Sequence, residues 1–185
     1  MKKYAVITND LQFAAAHKHK ERRRAVAKFL PKQGEFLKKM RTLGVSIIHL
    51  QLVVSESDPR SKGISDELKF TEGSKGVRIL EDVLAKSDIV VKKPKDSGFF
   101  NTNLEDVLKK LQITDVIITG MQTQICVQTT AADAYFRGYK VLVPSDGVVS
   151  TRKKDTKRAL EWMAGYCATV MTLEEIFNYV KENLH

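Results

Sequence analysis

Short apolar runs rich in valine and isoleucine alternate with helical segments along the whole chain. Several of these runs are apolar without alternation, as strands buried on both faces are. The predicted strands are residues 4–8, 45–54, 89–92, 116–119, 140–143 and 168–171. Repeated strand–helix–strand units favour a parallel sheet covered by helices and joined by right-handed crossovers. We therefore predict an α/β fold with one doubly wound parallel six-stranded sheet and helices on both faces. The pattern alone leaves the strand order open.

Helices are predicted between the strands, and several carry recognisable end signals. The predicted helices are residues 22–43, 77–85, 101–111, 125–137, 151–166 and 173–184. Gly44 and Gly138 follow helices, while Ser150 and Thr172 precede helices as N-caps. The polar, glycine-bearing stretch 55–75 is predicted as a long loop, and loops of that length are often part of a functional site.

Composition narrows the class of protein. A chain of 185 residues with 43% hydrophobic and 29% charged residues fits one globular domain, residues 1–185. No apolar stretch approaches the roughly 18 residues needed to cross a bilayer. Asn9 and Asp10 interrupt the N-terminal segment before a signal-peptide core could form. Two cysteines, Cys126 and Cys167, build neither a disulfide framework nor a zinc pattern. We therefore expect a cytoplasmic protein without a membrane partner.

Lysine and arginine together exceed aspartate and glutamate by 31 to 22. The basic residues concentrate in two runs, 17–24 and 152–158. Such runs are usually solvated surface, and the alternatives are steering of an anionic substrate or nonspecific binding of nucleic acid. Nothing resembles a nucleic-acid module, and aromatic residues are not interleaved with the runs, so we do not expect a nucleic-acid partner.

Polar side chains follow three of the predicted strands. Asp10 follows the first, Lys92 and Lys93 end the third, and Cys126 opens the helix after the fourth. Ligands in open parallel sheets bind beyond the carboxyl ends of the strands, so a carboxylate, an ammonium and a thiol are expected to meet there. These are the parts of a nucleophilic site. The helix N-terminus and a nearby lysine would favour the Cys126 thiolate.

Each of these residues also has an ordinary structural explanation. Cys126 could be a small buried hydrophobe, and Asp10 could cap a helix or form a turn. The lysines could belong to a solvated charge run. Lys92 and Lys93 point to opposite faces of a strand, and the pattern does not choose between them.

Three motifs in register carry a resemblance to a known family. They are Asp-x-Gln after a hydrophobic strand; Lys followed by Ser four residues later and then by Phe and Thr; and Thr-Gly-x-x-Thr-x-x-Cys-Val followed by Thr, Asp-Ala and Gly-Tyr. The matching residues are Asp10, Gln12, Lys93, Ser97, Phe99, Thr102, Thr119, Gly120, Thr123, Cys126, Val127, Thr130, Asp133, Ala134, Gly138 and Tyr139. In these motifs the chain resembles the isochorismatase-like cysteine hydrolase superfamily, which includes nicotinamidases and N-carbamoylsarcosine amidases.

The resemblance implies a strand order of 3-2-1-4-5-6 and a catalytic triad of Asp10, Lys93 and Cys126. It implies that Asp10 deprotonates Cys126, whose sulfur attacks a carbonyl carbon and forms a thioester. It also implies a cis peptide between Met121 and Gln122, with the N–H groups of Gln122 and Cys126 as the oxyanion hole. The implied reaction is cleavage of a C–N bond in a small amide, ureide or carbamoyl compound.

The departures from the family pattern are informative. Metal-binding nicotinamidases carry Asp-x-His after the second strand, where this chain has His49 inside a predicted strand. We therefore expect a core histidine, no metal and no cofactor. On family grounds we expect a homo-oligomer, a dimer or tetramer. Substrate-pocket candidates are Gln12, Phe13, Phe99 and Met121. The alternative functions are a catalytically idle regulatory scaffold and a polyanion-binding protein.

Overall fold

Seven strands form one parallel sheet in the computed structural model, which describes residues 2–184. They are β1 (Tyr4–Asn9), β2 (Ser46–Leu52), β3 (Ile89–Lys93), β4 (Asp115–Met121), β5 (Lys140–Pro144), β6 (Val148–Val149) and β7 (Thr169–Met171). The order is β3-β2-β1-β4-β5-β7. The two-residue β6 pairs with the carboxyl end of β4, beyond the last paired residue of β5. This confirms the predicted α/β fold and strand order, with β7 as the sixth predicted strand.

Helices cover both faces of the sheet. They are α1 (Phe13–His17), α2 (Lys20–Thr42), α3 (Leu104–Lys110), α4 (Gln128–Phe136), α5 (Lys153–Tyr166) and α6 (Leu173–Asn183). Apolar side chains of α1, α2 and α6 pack in one core cluster, and those of α3, α4 and α5 pack in the other. Successive residues of β1 contribute alternately to the two clusters, as the period of a strand requires. The sheet therefore has no solvated face at β1 and β4, which are buried throughout.

The structure corrects two predictions about helices. Residues 77–85 form no helix: Ile79 pairs with Gln12 in an isolated antiparallel bridge, and Leu80 N donates to Leu11 O at 2.9 Å. Ser150 is not an N-cap, because its hydroxyl donates to Gln124 Oε1 at 2.7 Å and α5 begins three residues later. The predicted cap at Thr172 is confirmed, since Thr172 and Glu175 form a capping box.

The stretch 55–75 is a loop, as predicted, with two short 3₁₀ turns at Pro59–Ser61 and Asp66–Leu68. The Asp58 carboxylate caps the first turn by accepting from Arg60 N at 2.9 Å. No helix within residues 2–184 has the length and apolar character to cross a bilayer.

An aromatic cluster on α4 and α5 is exposed on the surface. Tyr135, Phe136, Trp162 and Tyr166 are each 43–67% exposed, and the Trp162 and Tyr166 ring centroids lie 5.1 Å apart.

The homo-oligomer expected on family grounds stays a prediction.

His49 is a core histidine whose two ring nitrogens are both occupied. Its Nδ1 lies 2.7 Å from Thr8 Oγ1, and its Nε2 lies 2.9 Å from Asp88 Oδ2. Burial lowers the pKa of His49, so the ring is neutral, with Nε2–H donating to Asp88 and Nδ1 accepting from Thr8. Arg41 also donates to both Asp88 oxygens, at 2.9 and 2.6 Å. Asp88 therefore joins α2, β2 and the chain just before β3.

Replacing Asp88 with alanine should destabilise the protein by about 3–5 kcal/mol, because it leaves a partly buried arginine and a buried histidine donor without their acceptor. Urea unfolding followed by circular dichroism measures this change. Glu35→Gln, which removes an exposed i,i+4 ion pair with Lys39, is the control and should leave the midpoint unchanged. Equal midpoints for Asp88→Ala and wild type would contradict this account of the network.

Candidate active site

The strand order brings three distant segments to one edge of the sheet. Asp10 directly follows β1 with a φ of 51°, and its N–H donates to Leu50 O at 3.1 Å. Lys93 is the last residue of β3, and Cys126 lies in the single π-helical turn Thr123–Val127 after β4. Because adjacent strands lie about 4.8 Å apart and β3 is two strands from β1, a long side chain is needed to reach Asp10 from β3. Lysine supplies that length.

The Lys93 ammonium group has an acceptor for each of its three protons. Nζ donates to Asp10 Oδ2 at 3.1 Å, to Lys95 O at 3.1 Å and to Asp96 O at 2.9 Å. The Lys93 side chain is fully buried. Burial lowers the pKa of Lys93, but its attraction to the Asp10 carboxylate, and to the Cys126 sulfur when that is ionised, outweighs burial and raises the pKa overall. Lys93 is therefore a fixed positive charge, whereas Lys92 on the opposite face is exposed and pairs with Glu72.

The Asp10 carboxylate is buried and retains an unused acceptor. Its Oδ1 has no hydrogen-bond partner within residues 2–184. Burial raises the pKa of Asp10, and the attraction of the Lys93 ammonium and its hydrogen bond to Oδ2 only partly oppose this. Asp10 therefore takes up a proton more readily than an ordinary aspartate does.

The Cys126 thiol is 6% exposed, and its Sγ lies 3.7 Å from Asp96 Oδ1. Burial raises the pKa of Cys126 well above its ordinary value, the negative charge of Asp10 raises it further, and Lys93 lowers it only in part. Lys93 therefore favours the thiolate, as expected, but burial and the charge of Asp10 outweigh it, and the net shift of the pKa disfavours the thiolate. One buried cation faces two acids, so Asp10 keeps the negative charge and Cys126 keeps its proton.

Motif residues around the triad fix the loop after β3 against α4. Ser97 Oγ donates to Asp133 Oδ2 at 2.6 Å, and Gly98 N donates to Thr130 Oγ1 at 3.0 Å. Thr130 Oγ1 in turn donates to Asn9 Oδ1 at 3.0 Å. These bonds set the distance between the Lys93 loop and α4, the helix that directly follows the turn carrying Cys126. The motifs identified Ser97, Thr130 and Asp133, but sequence reasoning gave them no role.

The backbone around Gln122 forms a tight turn. The Met121–Gln122 peptide bond is cis, and Gln122 O accepts from Ile125 N at 3.0 Å and from Val127 N at 3.2 Å. The Gln122 N–H donates to no protein acceptor in the described part of the chain. Gly120 precedes this turn with a φ of 103°, and a Cβ there would lie 2.3 Å from Asn9 O, so the close approach of β1 requires glycine.

The four pocket candidates occupy different surroundings. Gln12 is fully buried: its Nε2 donates to Leu52 O at 3.0 Å, and its Oε1 accepts from Leu52 N at 2.8 Å. Met121 and Phe99 are buried within the two core clusters. Phe13 alone among the four is partly exposed, with its ring stacked on His17. The structure thus brings Asp10, Lys93 and Cys126 together and places three of the pocket candidates in packing positions.

Sequence reasoning missed Asp96 and Arg60, which lie beside the sulfur. Asp96 Oδ1, 3.7 Å from Sγ, is 3.9 Å from Arg60 Nη1. Asp58 holds Arg60 through two hydrogen bonds of 2.9 Å. The length of the loop 55–75 was the one signal that pointed towards Arg60.

Comparisons with known proteins identify the family of this chain. Residues 4–175 match the isochorismatase domain. The chain is 37% identical over 100 residues to the uncharacterized isochorismatase family protein YaaI of Bacillus subtilis strain 168. That match covers 51% of this chain and 55% of YaaI, about half the length of each.

Two solved structures share the fold. An isochorismatase-like hydrolase from Alkaliphilus metalliredigens superposes with a TM-score of 0.82 at 24% identity, over 96% of this chain and 98% of that one. The N-carbamoylsarcosine amidase from Thermoplasma acidophilum superposes with a TM-score of 0.77 at 25% identity, over 92% and 96% of the two chains.

Replacing Asp10 with asparagine should lower the pKa of the Cys126 thiol, because it removes the neighbouring negative charge while the Lys93 ammonium remains. The thiolate absorbance in the ultraviolet, titrated in a Cys167→Ala background, measures this shift. Lys93→Gln should move the midpoint in the opposite direction and serves as the matched variant. A midpoint that Asp10→Asn leaves unmoved would contradict the electrostatic coupling described above.

Proposed function

The chain belongs to the isochorismatase domain family, and we propose that it is a metal-independent cysteine hydrolase of a small amide, ureide or carbamoyl compound. The observation that carries the proposal is the buried Asp10–Lys93 pair beside the buried Cys126 thiol. A proton acceptor, a fixed cation and a nucleophile converge there at the carboxyl edge of the sheet. The name of the N-carbamoylsarcosine amidase that this chain resembles supports chemistry of this class.

The proposed reaction begins with transfer of the thiol proton. Asp10 accepts this proton as Cys126 Sγ attacks the carbonyl carbon and forms a tetrahedral intermediate. The N–H groups of Gln122 and Cys126 would donate to the oxyanion, and losing one such donor typically lowers the transition-state stabilisation by about 2.7–4 kcal/mol. The raised pKa of Asp10 suits this step, because it makes Asp10 a stronger proton acceptor than an ordinary aspartate.

The second half of the reaction returns the proton. Asp10 donates it to the departing nitrogen as the C–N bond breaks, which releases ammonia or an amine and leaves a thioester on Cys126. A water molecule, deprotonated by Asp10, attacks the thioester and releases the acid, and the Cys126 thiol is restored. Lys93 stays protonated throughout and compensates the single negative charge, wherever it resides among Asp10, Cys126 and the oxyanion.

The donor set supports a reaction that needs no metal. Both ring nitrogens of His49 are engaged, one with Thr8 and one with Asp88. Within residues 2–184, no group of three or more His, Cys, Asp and Glu side chains is arranged to hold an ion. The proposed chemistry assigns every step to Asp10, Lys93, Cys126 and the backbone.

Cys126→Ala should abolish hydrolysis, because no other described thiol lies beside the Asp10–Lys93 pair. Ammonia release from a panel of small amides and ureides measures the activity. Cys167→Ala is the matched control and should retain the wild-type rate, since Cys167 is buried in the core at the C-terminal end of α5. Turnover that survives in Cys126→Ala would contradict the proposal.

Activity should fall as pH drops through the pKa of Asp10, because protonated Asp10 cannot accept the thiol proton. Burial places that pKa above the ordinary aspartate value of 3.8, so the acid limb of kcat/KM should lie above that value. The negative charge of Asp96 contributes to this rise, and Asp96→Asn should therefore move the limb to lower pH.

The pH–rate profiles of wild type, Asp96→Asn and Glu72→Gln test this prediction. Glu72 pairs with the exposed Lys92 on the opposite face of β3, so its replacement should leave the limb in place. An acid limb at the ordinary aspartate value, or one insensitive to Asp96→Asn, would argue against Asp10 as the base.

A further inference from the structure

We propose that Arg22 binds a carboxylate group of the substrate, so that the amide or ureide hydrolysed here carries a carboxylate close to the scissile bond. This inference rests on the proposed function and names the substrate class of the same site. It follows from the position of the Arg22 guanidinium, from its contacts and from its lack of an acidic partner.

Arg22 is fixed beside the turn that carries the proposed oxyanion hole. Its Nε donates to Thr151 Oγ1 at 2.9 Å, and its Nη1 approaches Ala15 O at 3.4 Å. Thr151 N donates to Gln122 Oε1 at 3.1 Å. A chain of two hydrogen bonds therefore joins the Arg22 guanidinium to Gln122, four residues before Cys126. A charge on the Cys126 sulfur would act on the Arg22 guanidinium, so the arginine lies within electrostatic reach of the proposed nucleophile.

The charge of Arg22 has no counter-ion. Within residues 2–184, no carboxylate oxygen lies within 4.0 Å of its guanidinium, and its Nη2 donates to no acceptor. The side chain is partly buried, and this burial lowers the pKa of Arg22, whereas a negative charge on Cys126 would raise it. A bound anion stabilises a partly desolvated guanidinium. The planar arrangement of the guanidinium N–H donors matches the two oxygens of a carboxylate.

The neighbouring arginines differ from Arg22 in these respects. Arg60 also lies near the sulfur, but its Nε and Nη2 bind the two oxygens of Asp58, and its Nη2 also donates to Pro94 O. Arg23 and Arg24 follow Arg22 on α2 and are exposed to solvent. Arg22 thus combines a fixed position near the site with an uncompensated charge.

The charge distribution around the site favours the same class of substrate. The exposed Lys18, Lys20, Arg23 and Arg24 surround Arg22 in the chain, and the net charge of the protein is +9. Positive potential of this kind raises the local concentration of small anions and their rate of arrival. The proposal therefore gives the basic run 17–24 a role, which is to attract an anionic substrate.

The experiment compares pairs of probes that differ only in charge. The pairs are malonamate and malonamide, succinamate and succinamide, and N-carbamoylglycine and its neutral amide. For the best pair, wild type should show kcat/KM about 10- to 100-fold higher for the carboxylate member, the range of one charge-assisted hydrogen-bonded pair. Arg22→Gln should lose this preference through KM, Arg22→Lys should retain part of it, and Arg23→Gln should keep it in full.

A wild-type enzyme that shows no preference for the carboxylate member, or an Arg22→Gln enzyme that keeps the preference, would overturn the inference while leaving the hydrolase proposal intact. Absence of Cys126-dependent turnover for every probe would count against the hydrolase proposal instead. In that case calorimetric binding of succinamate to Cys126→Ala still tests Arg22. Tight binding that Arg22→Gln weakens about tenfold or more supports the inference, and equal or unmeasurable binding overturns it.

Discussion

The buried ion pair between Lys93 and Asp10, at the carboxyl edge of the parallel sheet, constrains the geometry of the rest of the site. Breaking one partner of such a pair leaves an uncompensated buried charge, which typically costs about 3–5 kcal/mol. Lys93 reaches Asp10 only because β3, β2 and β1 lie side by side in that order. The topology and the charge pair thus depend on each other, and the sulfur of Cys126 is brought against both by β4.

The pair also controls where the protons reside. With one cation for two acids, ionising Cys126 requires that Asp10 become neutral, so the two groups exchange a single negative charge. The side chains that set this geometry lie outside the triad. Hydrogen bonds of 2.6–3.0 Å hold Ser97 and Gly98 of the Lys93 loop to Asp133 and Thr130 of α4, and hold Thr130 in turn to Asn9 of β1. Precise spacing matters here because a proton moves over hydrogen-bond distances.

Much of the fold and of the candidate site was predictable from strand patterns and motif spacing in the sequence, and the wrong predictions have physical causes. Buried strands are apolar without alternation, and the motif spacing selected Lys93 over Lys92 where the strand period could not. The predicted helix at 77–85 failed because Ile79 and Leu80 bond to the segment at Leu11 and Gln12, more than sixty residues away. The net shift of the Cys126 pKa was not predictable, because desolvation of Cys126 depends on tertiary packing. Arg60 lies in the loop 55–75, and the conformation of such a loop cannot be predicted from the periodicity of hydrophobic residues.

The proposed reacting groups and the residues around them come from different parts of the fold. The pairing of β6 with β4 anchors the chain that leads to Thr151, next to Gln122, whereas Arg22 and Arg60 come from α2 and from the loop 55–75. The proposed reacting groups therefore stand at or just after the ends of central strands, and Arg22, which we propose binds the substrate carboxylate, stands on a peripheral helix. Such a division would let the substrate preference change in evolution. A different sequence at the start of α2 or in the loop 55–75 would alter the residues around the substrate while Asp10, Lys93 and Cys126 stay in place.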